Sequence, residues 1–118
     1  MTDLVVRLVI LAPRPESIRA MSSKQGYLYI MANRRPTLYA GVTSNLAGRV
    51  HQHKHNLAPA SFTSRYQLHT LVYYETHDTI QQAIVREKQV KDMNRQDKLT
   101  MIRRANPTFR DLYEDIQG

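Results

Sequence analysis

A chain of 118 residues is long enough for one domain with a single, modest hydrophobic core. Its hydrophobic fraction of 42% excludes a disordered chain, and the absence of cysteine excludes disulfides, thiolate metal sites and cysteine nucleophiles. Seventeen Lys and Arg residues against ten Asp and Glu residues leave a net charge of +7, which favours a polyanionic partner such as nucleic acid over a plain solvated surface. No apolar run reaches the roughly 18–20 residues of a membrane span, and a chain without cysteine suits the reducing cytoplasm, where we expect this protein to act.

The first two dozen residues look like an appendage to the domain. Leu4–Ala12 resembles the core of a signal peptide, but no basic residue precedes it and Arg7 interrupts it, so export is not predicted. A second methionine follows at Met21. We therefore expect residues 1–24 to be an N-terminal extension, flexible or a start-site artefact, and residues 25–118 to form the domain.

Two aromatic and β-branched runs predict a β-hairpin. They are Tyr27–Met31 and Thr37–Val42, and the five residues 32–36 between them read as the connecting loop. If this loop closes symmetrically, Tyr29 lies opposite Tyr39. The two tyrosines would then be neighbours on one face of the sheet.

The rest of the chain alternates between helical and strand periodicity. In chain order the predicted elements are a helix from Asn45 to about His55, a strand Leu71–Glu75, a helix from Asp78 to Lys91, a helix from Arg95 to Ala105, and a short last helix that begins at Thr108. Asp78 is the predicted N-cap of the second of these helices, and the third is bounded by Asn94 as its N-cap and by Asn106-Pro107. Up to that last helix the order is β-β-α-β-α-α. It predicts an α+β fold in which a small three-stranded, antiparallel-rich sheet is flanked by helices.

A carboxylate interrupts the apolar stripe of the Asp78–Lys91 helix. Glu87 lies near the middle of the stripe formed by Ile80, Ala83 and Val90. A buried carboxylate is costly unless a cation or hydrogen-bond donors meet it. The sequence therefore predicts either a metal or a basic partner at Glu87, and a buried ion pair with Arg49 is the simple structural alternative.

The Asn45–His55 helix shows the same anomaly. Arg49 and His53 are four residues apart and share the inner face with Leu46 and Val50. With the two tyrosines and Glu87 they could form one polar pocket, which would hold a cation, a metal ligand and a proton acceptor. Those are the parts that cleavage of a phosphodiester needs. Each part alone has an ordinary explanation, namely cross-strand packing for the tyrosines and a packed histidine for His53.

The ordered set of motifs resembles the GIY-YIG nuclease domain. The motifs are Tyr27-Leu28-Tyr29, then Tyr39-Ala40-Gly41, then Arg49 with His53, and Glu87 within the run 86–91. The chain is similar in particular to small single-domain bacterial members related to the incision module of nucleotide excision repair. The resemblance runs from about Gly26 to Ile102. It departs from the family in the triplets, where Tyr27 replaces a glycine and Ala40 is the middle residue of the second triplet.

The resemblance implies a metal-dependent endonuclease that hydrolyses phosphodiester bonds of DNA, with structured or damaged DNA among the expected targets. It implies these roles: Tyr29 and Tyr39 line the site, where one tyrosine helps to deprotonate the attacking water, Arg49 steadies the scissile phosphate, His53 assists proton transfer, and Glu87 binds one Mg²⁺ or Mn²⁺ ion. A bound cation and Arg49 are expected to lower the pKa of a tyrosine hydroxyl from its usual value near 10.

The expected partner is nucleic acid, and DNA rather than RNA. Four basic residues are expected to contact it, Lys54, Arg65, Lys88 and Lys91. No membrane partner is expected, and we assume a monomer. Two alternatives remain at this point: a non-cleaving nucleic-acid-binding module that uses the same basic surface, and a structural protein whose inward charges form a plain ion-pair network.

Overall fold

The computed structural model describes residues 25–55 and 65–117, and its three strands form one antiparallel sheet in the order β2-β1-β3. The strands are β1 (Gly26–Ala32), β2 (Leu38–Thr43) and β3 (Thr70–His77). The helices are α1 (Leu46–Lys54), α2 (Ile80–Asp92), α3 (Arg95–Ala105) and the short α4 (Tyr113–Ile116). The predicted α+β fold with a three-stranded sheet and flanking helices is confirmed. The predicted extension 1–24 lies outside the described residues.

Polar side chains fix where the helices begin. Asn45 caps α1 by accepting a hydrogen bond from the Gly48 amide, and Asn94 caps α3 by accepting one from the Asp97 amide. The predicted cap of α2 at Asp78 is wrong by one residue, because Thr79 takes that place and accepts from the amide of Gln82. Within the described ranges, no helix is long and apolar enough to cross a membrane.

The β1–β2 hairpin is paired two residues away from the predicted register. Tyr29 lies opposite Gly41, and Tyr39 lies opposite Met31. The cause is the loop, in which the Asn33 side chain accepts hydrogen bonds from the amides of Arg35 and Thr37. A slip of two residues keeps every side chain on its own face of the sheet, so both tyrosines still share one face.

Each face of the sheet carries its own hydrophobic cluster. The first face holds Tyr29, Met31, Tyr39 and Leu71 of the strands against Leu46 and Val50 of α1 and Ala83 of α2. The second face holds Leu28, Ile30 and Val72 against Val90 of α2 and Ile102 of α3. Helix α2 thus contributes to both clusters and packs against all three strands. One helix can therefore direct a side chain toward the first face of the sheet while its other residues pack against the second face.

The last segment is less helical than its sequence pattern predicts. The predicted start at Thr108 is wrong, because Phe109 has a φ of 54° and so cannot belong to a right-handed helix. Buried Asn106 holds the preceding turn by donating to the carbonyls of Val72 and Arg110. Only Tyr113–Ile116 remains helical, and it packs near α1.

Candidate active site

Three aromatic rings meet on the first face of the sheet. The hydroxyl of Tyr29 on β1 lies 2.9 Å from Nε2 of His53 on α1. The ring centroids are 5.6 Å apart for Tyr29 and His53, 5.8 Å for Tyr39 and His53, and 6.3 Å for the two tyrosines. Residues from β1, β2 and α1 that are up to 24 positions apart in sequence thus form one compact group.

Gly41 makes room for this arrangement. The Tyr29 ring lies directly over it, so that a Cβ atom at position 41 would be 2.6 Å from both Cζ and Oη of Tyr29. A contact that short forces the ring to move, and the hydroxyl would then lose its position against His53. The ring of Tyr29 can therefore occupy this position only because residue 41 is a glycine.

We expect the substitution Gly41→Ala to cost about 1–3 kcal/mol of unfolding free energy, in the range of other overpacked cores, because the Tyr29 ring must shift. Chemical denaturation of both proteins measures this cost. In a Tyr29→Phe background the cost should be smaller, since one of the two closest atoms is gone. Equal costs in the two backgrounds would contradict the proposed clash.

Tyr29 and His53 are both electrically neutral at neutral pH. Burial raises the pKa of Tyr29 well above 10, the charge and hydrogen bond of Tyr39 and the charge of Glu87 add to this rise, and Arg49 lowers the value only in part. Arg49 acts on Tyr29 in the expected direction but does not outweigh burial, and the lowering expected when a cation is also bound stays a prediction. Burial lowers the pKa of His53 to about 4, with Arg49 and His69 adding to the effect. In the tautomer with its proton on Nδ1, His53 can accept the hydrogen bond of the Tyr29 hydroxyl.

Glu87 is buried beside the aromatic group, as its place in the apolar stripe predicts. The residue is 1% exposed, and its Oε2 atom lies 3.2 Å from Nζ of Lys91, one turn later on α2. The same ammonium lies 5.8 Å from the centroid of the Tyr39 ring, which places the carboxylate close to the second tyrosine. Within the part of the chain that the structure describes, the basic residue paired with Glu87 is thus Lys91 and not Arg49, the partner considered from sequence.

A polar network on the opposite side of α2 helps to orient Glu87. Arg86 donates from Nε to both carboxylate oxygens of Glu75 on β3, which also bonds to Tyr73 and His77. Burial of Glu75 acts to raise its pKa, but the hydrogen bonds from these three neighbours outweigh it and the pKa is lowered. Because adjacent helical residues point about 100° apart, the anchoring of Arg86 on the second face helps to direct Glu87 toward the first.

Arg49 is half-buried on α1, one helical turn before His53. It affects the pKa of Tyr29 and of His53, so its charge lies within electrostatic range of both. No carboxylate pairs with it in the ranges 25–55 and 65–117. Its guanidinium is therefore suited to an anion that comes from outside the protein.

The donor set fits a hard divalent cation with few protein ligands. No group of three or more His, Cys, Asp or Glu side chains is gathered in the described part of the chain, which argues against a closed zinc-type site within it. Among the five residues of the candidate site, Glu87 supplies a buried carboxylate, and the hydroxyl groups of Tyr29 and Tyr39 are the other side-chain oxygens. Magnesium accepts such a site, because it keeps several waters and takes oxygens from a bound phosphate.

The four basic residues expected at nucleic acid have different surroundings. Arg65 and Lys88 are exposed. The ammonium of Lys54 donates to the carbonyl of His69 and pairs with Asp111, so it ties α1 to the last segment of the chain. Lys91 lies at Glu87, a pairing that was not predicted although the i,i+4 spacing of the two residues on one helix could have indicated it.

Comparison with known proteins agrees with this geometry. The sequence profile described as the GIY-YIG catalytic domain matches residues 25–100, which include all five residues of the candidate site. The chain belongs to the GIY-YIG family. This family consists of endonucleases that generally use a divalent cation and bind nucleic acid, and the identification confirms the resemblance drawn from the two triplets and the residues that follow them.

Several small GIY-YIG relatives are similar over most of their length. A UPF0213 protein of Syntrophus aciditrophicus (strain SB) is 34% identical over 83 residues, which are 70% of this chain and 94% of the relative. A UPF0213 protein of Desulfotalea psychrophila is 30% identical over 100 residues, 85% of this chain and 87% of the relative. One of Staphylococcus haemolyticus is 34% identical over 76 residues, 64% of this chain and 92% of the relative. Their names state no activity, and no solved structure matches the chain.

Proposed function

We propose that this GIY-YIG protein is a metal-dependent endonuclease that hydrolyses phosphodiester bonds of DNA. The observation that carries the proposal is the 2.9 Å contact between the Tyr29 hydroxyl and Nε2 of His53, in a group that also contains Tyr39. Arg49 and the buried Glu87 are close enough to this group to change the pKa of Tyr29. This proximity supports the assignment of a proton path, a cation for the phosphate and a metal ligand to one region of the protein.

The tyrosines and the histidine form the proton path. Tyr39 is 8% exposed and Tyr29 only 1%, so the attacking water meets Tyr39 first. The Tyr39 hydroxyl takes up the proton of the water as its own proton moves to Tyr29, and Tyr29 passes a proton to Nε2 of His53. A phosphate bound nearby raises the pKa of His53 from about 4, because a negative charge favours the imidazolium. Substrate binding itself thus makes His53 a better base.

Arg49 and Glu87 handle the charge of the substrate. The Arg49 guanidinium can hold two phosphate oxygens at once and offset the negative charge that develops during attack. Glu87 would hold one Mg²⁺ or Mn²⁺ ion, which when bound would supply further charge stabilisation at the scissile phosphate. Neither role requires a second carboxylate.

The surroundings of the site support a nucleic-acid substrate. The net charge of +7 favours a polyanion, and Arg65 and Lys88 expose their cationic groups for backbone contacts. We propose DNA in preference to RNA, a monomeric enzyme, and action in the cytoplasm. Lys54 stays outside the proposed interface, because its ammonium is already bound to Asp111 and to the His69 carbonyl.

A cleavage assay tests the proposal. Supercoiled plasmid, branched DNA, damaged DNA and RNA are incubated with the protein in Mg²⁺, in Mn²⁺ and in a chelator. We expect nicking of DNA with either metal and none with the chelator. Salt-sensitive binding that a chelator does not affect, with no turnover on any substrate, would identify a non-cleaving nucleic-acid-binding module instead.

A further inference from the structure

Lys91 lies where a cation would be needed at Glu87. Its ammonium is 3.2 Å from Oε2, both residues are on α2, and their side chains are 15% and 1% exposed. We infer that Lys91 is an internal substitute for the divalent cation, so that metal binding at Glu87 is an exchange in which the lysine ammonium is displaced. The inference rests on the proposed function, because it assumes that Glu87 is the metal ligand.

The burial of Glu87 explains why such a substitute is needed. A carboxylate that is 1% exposed loses nearly all of its hydration, and the loss is large unless a cation compensates for it. A permanent cation one helical turn away holds the carboxylate inward before any metal arrives. The site is then ready for a metal, but the metal must compete with an ammonium that is always present at high effective concentration.

The displaced ammonium remains close to the reaction. Its Nζ atom is 5.8 Å from the Tyr39 ring, and lysine has a long, flexible stem that can move its charge by several ångströms. Once a metal has taken its place at Glu87, the nearest new anion is the phosphate of a bound substrate. Lys91 is therefore a positioning residue that links metal binding to substrate binding: metal alone binds weakly, and metal with phosphate binds well.

Direct metal binding by four proteins tests the exchange without any nucleic acid. They are the wild type, Lys91→Met, Lys91→Arg and Lys88→Met, the last being a matched loss of charge at an exposed position of the same helix. Mn²⁺ affinity is measured by calorimetry or by electron paramagnetic resonance, and thermal unfolding is followed with and without Mn²⁺. None of these measurements depends on cleavage.

Lys91→Met should bind Mn²⁺ at least about tenfold more tightly than the wild type, because the competing ammonium is gone. Without metal it should melt roughly 10 °C or more below the wild type, since Glu87 is left without the charge of Lys91, and Mn²⁺ should restore much of this loss. Lys91→Arg should bind Mn²⁺ more weakly than the wild type, because a guanidinium holds a carboxylate with two parallel hydrogen bonds. Lys88→Met should match the wild type in both measurements.

The results separate this inference from the proposed function. Equal Mn²⁺ affinity in wild type, Lys91→Met and Lys91→Arg would overturn the exchange and leave the metal site in place. Mn²⁺ binding to none of the four proteins would overturn the metal-dependent function and the exchange together. If Lys91→Met does not fold, the comparison of Lys91→Arg with the wild type tests the exchange. Mn²⁺ binding by Lys91→Arg as tight as by the wild type would contradict it.

Discussion

Replacing Glu87 by glutamine should reduce metal-dependent DNA cleavage by about a thousandfold or more. The substitution keeps the shape of the side chain but removes the charge, and among the site residues it is the only carboxylate buried beside the aromatic group. A neutral amide holds Mg²⁺ poorly, so the charge stabilisation that the metal would supply at the phosphate is lost. The measurement is the rate of plasmid nicking at several concentrations of Mg²⁺ and of Mn²⁺.

The control for this experiment is binding rather than cleavage. Arg49, Arg65 and Lys88 are unchanged in Glu87→Gln, so the variant should retain its salt-dependent affinity for DNA in the presence of a chelator. Its thermal unfolding should stay close to that of the wild type, because Lys91 can turn its ammonium toward water when its partner becomes neutral, and this result would separate the loss of cleavage from a loss of fold. Cleavage by Glu87→Gln or Glu87→Ala at the wild-type rate would mean a contaminating nuclease or a different site.

Most of the fold could be predicted because local signals and long-range packing agree. Asn94 and Asn106-Pro107 mark both ends of α3, and the structure places the helix at the predicted Arg95–Ala105. The aromatic and β-branched runs identify β1 and β2, although their pairing is wrong by two residues. The prediction that Tyr29 and Tyr39 share one face still holds, because side chains alternate between the two faces of a sheet with a period of two residues.

The parts that sequence could not predict depend on contacts between distant residues. The register follows from the hydrogen bonds of the Asn33 side chain within the loop, which no hydrophobic pattern reveals. The pKa of Tyr29 depends on how deeply α1 and the second tyrosine bury it, so the sign of its shift could not be read from the presence of Arg49. The partner of Glu87 is a different case. Lys91 stands four residues later on the same helix, a spacing that indicates a pair, but Arg49 suited the role equally well by charge and was the partner considered.

Interrupting the proton path at His53 or Tyr29 should lower the rate of cleavage by about 10²–10⁴-fold, the usual contribution of a positioned acid or base. His53→Gln keeps a hydrogen-bonding group near the Tyr29 hydroxyl but cannot take a full proton from it. Tyr29→Phe removes the hydroxyl that lies 2.9 Å from Nε2 and keeps most of the packing over Gly41. Both variants should bind metal as the wild type does, which distinguishes them from Glu87→Gln.

The dependence of kcat/KM on pH distinguishes a proton acceptor from a merely structural histidine. The pKa of His53 is lowered to about 4, so the imidazole of the free enzyme is neutral, and able to accept a proton, throughout the range from pH 5 to pH 8. As the pH falls through 4, His53 becomes protonated and kcat/KM should fall with it, because this ratio reports the pKa values of the free enzyme. His53→Gln should lack the acid limb centred near pH 4, while Tyr29→Phe should keep the imidazole but lose its link to the water. An unchanged acid limb in His53→Gln would assign that limb to another group and remove His53 from the proton path.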